Sequence, residues 1–299
     1  MSEFRSGFVA FVGRPNAGKS TLMNALVGEK VAIMSSRPQT TRRAIRGIIT
    51  RDDSQVVVVD TPGLHRPRTL LGERLNDLVR ETLAEVDVIG FCLPADEKVG
   101  PGDQWIAREL SAARAPVIAI VTKVDKVARE RVAQHLMDVQ QLGEWAEIVP
   151  VSSIKDIQID TLLDLIVGYL PEGPALYPDG ELTDEPEEMR IAELIREAAL
   201  EGVRDELPHS LAVVIEEMVE PGSEDAHREV LEIRAHVFVE RDSQKGIIIG
   251  KGGSRLKEVG ATSRAGIERL LGRKVFLDLH VKVAKDWQRD PKQLGRLGF

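Results

Sequence analysis

The chain has 299 residues, 40 basic and 48 acidic for a formal charge of −8, with 42% hydrophobic residues, 4% aromatic residues and a single cysteine. That length suits two domains of roughly 100–200 residues each, and the ordinary apolar fraction excludes wholesale disorder. The lone Cys92, inside the apolar run at 86–93, excludes a disulfide scaffold, and no window of about 18 consecutive apolar residues is present to cross a membrane. Residues 1–7 lead straight into the apolar run at 8–12 without room for a signal peptide, so a cytoplasmic location is expected.

Up to about Leu170 short apolar runs alternate with longer amphipathic stretches. The runs at 8–12, 55–59, 86–93, 117–121 and 147–151 are rich in apolar and β-branched residues, the pattern of parallel strands buried on both faces. Stretches such as 74–82 and 104–113 carry helical spacing. The alternation predicts an α/β domain with a doubly wound sheet over residues 1–172. Residues 170–186 hold four prolines and two glycines, which break regular structure and mark a linker, placed at 173–186. Residues 189–206 then return to helical spacing through Ile191, Leu194, Ile195, Ala198 and Val203, with Pro208 as the stop. Residues 210–219 and 230–239 alternate like an antiparallel pair. A short element at 244–250, a glycine cluster, a helix at 254–271 and a strand at 274–283 complete the order α-β-β-α-α-β. That order predicts a smaller α+β domain over 187–299.

Charge divides along the chain. Residues 1–183 carry 21 basic and 25 acidic side chains, residues 184–241 carry 6 and 17, and residues 242–299 carry 13 and 6. A total of −8 argues against a nucleic-acid partner, yet the last segment alone is +7 and contains the glycine cluster. The acidic segment 184–241 is expected to face away from any bound RNA.

Gly13-Arg14-Pro15-Asn16-Ala17-Gly18-Lys19-Ser20 fills every fixed position of a P-loop, and Thr21 follows in the predicted helix. Glycines let backbone N–H groups turn toward phosphate oxygens, and the helix N-terminus adds partial positive charge. Lys19 is expected on the β and γ phosphates, and the Ser20 hydroxyl on Mg²⁺. Asp60-Thr61-Pro62-Gly63 closes the strand at 55–59. Alone such a tetrapeptide is a common turn; after a P-loop it puts Asp60 in the Mg²⁺ shell and the Gly63 N–H near a γ-phosphate. The loop Pro38-Gln39-Thr40-Thr41-Arg42-Arg43 offers a switch threonine for Mg²⁺, Thr41 in preference to Thr40. Catalysis is thereby assigned to Lys19, Thr41, Asp60 and Gly63.

Thr122-Lys123-Val124-Asp125 closes the strand at 117–121. Asp125 can accept hydrogen bonds from the N1–H and exocyclic amine of guanine, a pattern adenine lacks, and the Lys123 stem can lie along the base. Thr122 stands where GTPases usually carry Asn, and its hydroxyl is expected to donate to a base nitrogen with shorter reach and weaker affinity. Ser152-Ser153 has two readings: a base-contacting loop acting through the Ser153 backbone, or a cap for the next helix. Leu64 occupies the place of the water-orienting Gln of many signalling GTPases. Having no polar group, it leaves hydrolysis to Mg²⁺, the P-loop and some other charge. Asn16 is either a ligand for a monovalent cation such as K⁺ beside the phosphates, or a residue that shapes the loop. His65 either contacts the attacking water or belongs to a moving switch.

Ile248-Ile249-Gly250-Lys251-Gly252-Gly253-Ser254-Arg255-Leu256 has the form of a GxxG loop between two short helices. Such loops clamp a single-stranded backbone, because glycine permits close approach and the next helix N-terminus faces the phosphates. Lys245, Lys251, Arg255 and Lys257 would supply charge, and residues 247–249 an apolar platform for bases. The alternative is a surface loop with no ligand.

GRPNAGKS, PQTTRR, DTPGLH, TKVD and, beyond the linker, ERDSQKGIIIGKGGSRLKEVG resemble the Era family of bacterial GTPases, which carry a C-terminal type II KH domain. The resemblance spans essentially the whole chain. It implies a doubly wound P-loop GTPase domain followed by a smaller α+β KH domain, with GTP or GDP and Mg²⁺ as ligands. It further implies GTP hydrolysis coupled to binding the 3′ end of small-subunit ribosomal RNA, a part in small-subunit maturation, and peripheral association with the cytoplasmic membrane. A monomer is expected. Thr122 and Ser153 depart from the family pattern and bear on nucleotide affinity. A competing reading from another class is an RNA- or membrane-attached binding protein in which hydrolysis is marginal, kept open by Leu64. A metabolic P-loop kinase would leave TKVD without a purpose.

Overall fold

The computed structural model describes residues 3–33, 41–65, 67, 69–201, 203 and 210–298. The chain divides into two units after Asp184. The first is built on six strands, β1 (Arg5–Val12), β2 (Ile45–Arg51), β3 (Ser54–Asp60), β4 (Val88–Pro94), β5 (Val117–Thr122) and β6 (Glu147–Pro150), in the spatial order β2-β3-β1-β4-β5-β6. All but β2 are parallel, and every residue of β3, β4 and β5 is buried, as their continuous apolar runs predict. Helices α1 (Lys19–Val27) and α5 (Ile159–Tyr169) cover one face, where Leu22, Met23, Leu162 and Ile166 join Val9 and Phe11. Helices α2 (Leu70–Glu85), α3 (Pro101–Leu110) and α4 (Arg129–Gln140) contribute Val79, Ile106 and Val139 to a second core with Ile89, Phe91 and Leu93. Burial of each such side chain contributes about 1.5–3 kcal/mol. These two cores fix the carboxyl ends of β1, β3 and β5, from which the phosphate and base loops leave.

β2 is a strand the sequence pattern does not announce. It pairs antiparallel with β3 across a turn at Asp52-Asp53, so the sheet is mixed. As an edge strand it keeps Arg46 exposed and Arg51 half-exposed, which interrupts the apolar signal that marks its neighbours. Most of the proline-rich stretch is laid on this unit and does not run free. The Gly173 N–H donates to Phe4 O at 3.0 Å, Ser6 Oγ donates to Pro174 O at 2.6 Å, and the Ile48 N–H donates to Leu182 O at 2.9 Å. Gln55 Oε1 accepts the N–H groups of Leu176 and Tyr177 at 2.6 and 2.9 Å. Proline removes donors and breaks helices, but the remaining backbone groups still bind a sheet edge.

The second unit holds α6 (Glu187–Leu200), β7 (Ala212–Val219), β8 (Leu231–Val239), α7 (Asp242–Ile249), α8 (Ser254–Leu271), β9 (Val275–Val283) and α9 (Pro291–Arg296). Its sheet runs β7-β8-β9, with β7 antiparallel and β9 parallel to β8. Alternate β8 residues Ile233, Ala235 and Val237 pack with Ile195, Val259 and Ile267 of α6 and α8. Helix α6 ends at Leu200, and Glu206 and Pro208, which close the predicted helix, lie outside the described residues. Beyond the predicted strand, the wholly buried Trp287 donates from Nε1 to Ser210 O at 3.0 Å and anchors the tail. Helix α9 is six residues long, too short to show a period; it is recognisable by its cap, Asp290 Oδ1 accepting the Lys292 N–H at 2.9 Å.

Candidate nucleotide and RNA sites

The loop from β1 to α1 folds back on its own lysine. Lys19, 6% exposed, donates from Nζ to Arg14 O at 3.1 Å and Gly13 O at 3.3 Å. Asn16 takes a left-handed φ of 63°, one of the bends that form the cradle. At the far side of this loop Ser20, Thr41 and Asp60 meet. Ser20 Oγ donates to Asp60 Oδ2 at 2.6 Å, and Thr41 Oγ1 donates to the same oxygen at 3.0 Å. Asp60 Oδ1 is buried and has no partner. Two hydroxyls and an unspent carboxylate oxygen are the hard donors Mg²⁺ takes, so these residues fit the metal expected of them. Burial raises the Asp60 pKa against the pull of Lys19 and the two hydroxyls, and burial lowers the Lys19 pKa against the pull of Asp60. Both shifts follow from withdrawing a charged group from water. Thr40 lies outside the described residues, and Thr41 Oγ1 is the threonine hydroxyl found beside Asp60.

The Asp60-Thr61-Pro62-Gly63 segment is pressed against the phosphate loop. A Cβ on Gly63 would stand 2.7 Å from Pro15 N, so only glycine lets the two loops touch. Thr61 Oγ1 donates to Phe11 O at 2.7 Å, and the Leu64 N–H donates to Gly13 O at 3.1 Å. The Leu64 side chain is 4% exposed and belongs to the core with Val12 and Phe91, so it takes no part in orienting water. His65 Nδ1 lies 2.9 Å from Gly63 O, within its own loop.

The base side contains one correction. The Thr122 hydroxyl, expected on a base nitrogen, donates to Ala17 O at 2.6 Å, and Thr122 is 2% exposed. Its single proton is spent on tying the base loop to the phosphate loop. A short side chain at the end of β5 finds the adjacent carbonyl before it reaches a ligand. Asp125 Oδ1 accepts from Ser152 Oγ at 2.5 Å, which fixes the carboxylate, and Ser152 Oγ in turn accepts the Lys155 N–H at 3.1 Å. Ser152 therefore serves the base loop and a local turn together, and Ser153 beside it is half-buried. The Val124 N–H donates to Val151 O at 3.3 Å, joining the two base loops. Lys123, at φ 58°, pairs with Asp96 at 3.4 Å.

The surroundings of Arg14 leave no trace in the local sequence. Its Nε lies 2.7 Å from Asp103 Oδ1 and its Nη1 3.0 Å from Glu97 Oε2. Asp103 lies 89 positions beyond Arg14, so no local spacing reveals the pair.

In the second unit the GxxG loop joins α7 to α8. Gly252 and Gly253 adopt φ of 59° and 80°, and the space where a Cβ would stand is open at both. The loop thus offers bare backbone immediately ahead of the α8 N-terminus, with Lys251 and Lys257 exposed and Lys245 half-buried nearby in sequence. Two expected contacts are corrected. Ile248 is fully buried in the core and is no platform for a base, Ile249 packs partly on that core, and the exposed member of the run is Ile247 at 53%. One face of a two-turn helix must seal the domain, and Ile248 is on it. The Arg255 guanidinium donates from Nη2 to Ala199 O at 3.3 Å and to Glu201 O, closing the C-terminus of α6. That contact also brings the acidic helix α6 to the helix that carries the loop, so the acidic segment is not remote from it.

Two family models match the chain: a 50S ribosome-binding GTPase over residues 8–123 and a KH domain over residues 206–288. The chain is 67% identical to GTPase Era of Mycobacterium avium (strain 104), with 100% of both chains covered. It is 66% identical to GTPase Era of Streptomyces coelicolor, over 99% of this chain and 95% of the relative. Among solved structures it is similar to Era in complex with MgGDPNP and nucleotides 1506–1542 of 16S ribosomal RNA, with a TM-score of 0.94, 39% identity and 99% of each chain covered. An Aquifex aeolicus Era variant bound to GDP and AlF₄⁻ gives a TM-score of 0.92 at 39% identity, again over 99% of both chains.

Proposed function

Because the chain belongs to the Era family of GTPases, we propose that it couples GTP hydrolysis to binding the 3′ end of small-subunit ribosomal RNA during maturation of that subunit. Residues 1–172 form the catalytic domain in this reading, and 173–186 join it to the RNA-binding domain at 187–299. Lys19 holds the transferring phosphoryl group, Ser20, Thr41 and Asp60 would hold Mg²⁺, and Asp125 selects guanine. When bound, Mg²⁺ supplies charge neutralisation at the β and γ phosphates. Leu64 supplies nothing to the attacking water, so the charge that completes the site comes from elsewhere. Asn16, on the loop's outer bend, is proposed to hold K⁺ there. RNA is held in the GTP state and released after hydrolysis.

One observation carries the RNA half: two left-handed glycines with open Cβ positions at the N-terminus of α8, in the basic segment of the chain. A relative of the same architecture binds nucleotides 1506–1542 of 16S ribosomal RNA. Among the described residues no helix is long and apolar enough to cross a membrane; in this reading the chain acts as a monomer with peripheral attachment to the cytoplasmic membrane, as the family resemblance implies. The test is RNA affinity of the chain carrying Gly252→Asp and Gly253→Asp. Two carboxylates against the phosphate backbone should cost at least about tenfold, more at low salt, with GTP turnover without RNA retained. Undiminished RNA binding would end the GxxG assignment. Single-turnover hydrolysis with and without the 3′-end RNA separates the switch from a binding protein with marginal hydrolysis, the reading that the buried Leu64 sustains: a switch responds to its RNA.

A further inference from the structure

We propose that the Arg14 side chain is a positioning residue that clips the phosphate-binding loop to the N-terminus of α3 and governs nucleotide retention through the loop, without touching the nucleotide. The proposal rests on residues 13–20 being the phosphate loop, which Lys19→Ala tests separately.

The contact is built from both sides. Asp103 is 1% exposed, and its two oxygens are divided: Oδ1 faces Arg14 Nε at 2.7 Å, and Oδ2 accepts the Gly100 N–H at 2.9 Å to cap α3. A buried carboxylate needs a cation, and Arg14 supplies it. Glu97 takes a second edge of the guanidinium at 3.0 Å. The arginine stem lies across α3 at Gly102, where a Cβ would stand 2.8 Å from Arg14 Cδ. Burial alone would lower the Arg14 pKa, and the hydrogen bonds and charges of Asp103 and Glu97 together hold it above its ordinary value. At its backbone end the same residue accepts Lys19 Nζ at 3.1 Å and the Ala17 N–H at 3.2 Å. One residue is therefore fixed in α3 by its side chain and fixes the catalytic lysine by its carbonyl. Two carboxylates on the guanidinium also make its surroundings repel a phosphate, which argues against direct nucleotide contact.

A loop held in shape before binding loses less freedom when nucleotide arrives. Cutting the clip should therefore speed release. The experiment measures dissociation of a fluorescent GDP analogue from the full chain for Arg14→Ala, Asp103→Asn and the double variant, with thermal unfolding recorded alongside. Each single variant should release nucleotide about tenfold faster, the worth of one charge-assisted hydrogen bond. KM for GTP should rise with it while kcat falls by less than about threefold, as expected for lost uniform binding. The double variant should release no faster than Arg14→Ala, because the two residues form one contact. Wild-type release from Asp103→Asn beside fast release from Arg14→Ala, or additive effects in the double variant, would overturn the proposal and assign the guanidinium to the nucleotide. If Asp103→Asn does not fold, Glu97→Gln replaces it. It should speed release about twofold, consistent with a half-exposed pair, and add nothing to Arg14→Ala; an additive effect there would overturn the proposal equally.

Discussion

Replacing Thr122 with Val keeps the shape of the side chain and removes its one donor. The hydroxyl donates to Ala17 O at 2.6 Å with Thr122 2% exposed and Ala17 wholly buried, so no water substitutes for the lost bond. A buried neutral hydrogen bond is worth about 0.5–1.5 kcal/mol net. Taking about 1 kcal/mol, and charging it to the joint between base loop and phosphate loop, predicts a roughly fivefold loss of guanine-nucleotide affinity. The GTPase unit should also melt about 2–4 °C lower. The assay is equilibrium binding of GDP and of 7-deaza-GDP, which lacks the ring nitrogen N7 to which a hydroxyl on the base would donate. A tether weakens both nucleotides equally and leaves their ratio unchanged. Thr122→Ser, which keeps the hydroxyl, should behave like the parent. A change in the ratio of GDP to 7-deaza-GDP affinity with 7-deaza-GDP binding unaltered would refute the tether and return Thr122 to the base. Unaltered affinity for both nucleotides would show that the joint does not support the site.

Lys19→Ala removes the buried ammonium and should abolish nucleotide binding by equilibrium fluorescence; turnover at the parent rate would sink the P-loop assignment. GTP turnover should be faster in K⁺ than in Na⁺ at equal ionic strength, and Asn16→Ala should erase the difference; a preference that survives the substitution assigns the cation to other ligands. His135 is 3% exposed, and burial holds its pKa below the ordinary imidazole value. The unfolded chain therefore takes up the proton first, and stability falls as pH drops below about 6.5 toward the folded value. His135→Gln should lessen the fall in melting temperature between about pH 7 and about pH 5.5. Some slope should remain, because burial also lowers the pKa of His236 in the second unit. An unchanged slope would show that His135 does not titrate differently on folding.

The two-domain plan, the parallel strands, the phosphate loop, the Asp60 carboxylate at the end of β3 and the GxxG loop were legible in the sequence because each is a local pattern. Continuous apolar runs declare strands buried on both faces, and glycine declares a backbone that must turn left-handed or touch a neighbour, as Gly63 does against Pro15 and as Gly252 and Gly253 do ahead of α8. β2 escaped because an edge strand wears its charge outward, and α9 because six residues show no period.

Residue order along the chain sets out which side chains are offered to phosphate, metal, base and RNA. Tertiary structure decided which of them remain available. Thr122 is taken by Ala17 O, Ile248 by the core, Arg255 by the end of α6 and Arg14 by α3. The physical reason is common to the four. A polar group entering the interior must find a partner and an apolar one must leave water, and both obligations are met by neighbours distant in the chain, where spacing along the sequence carries no signal.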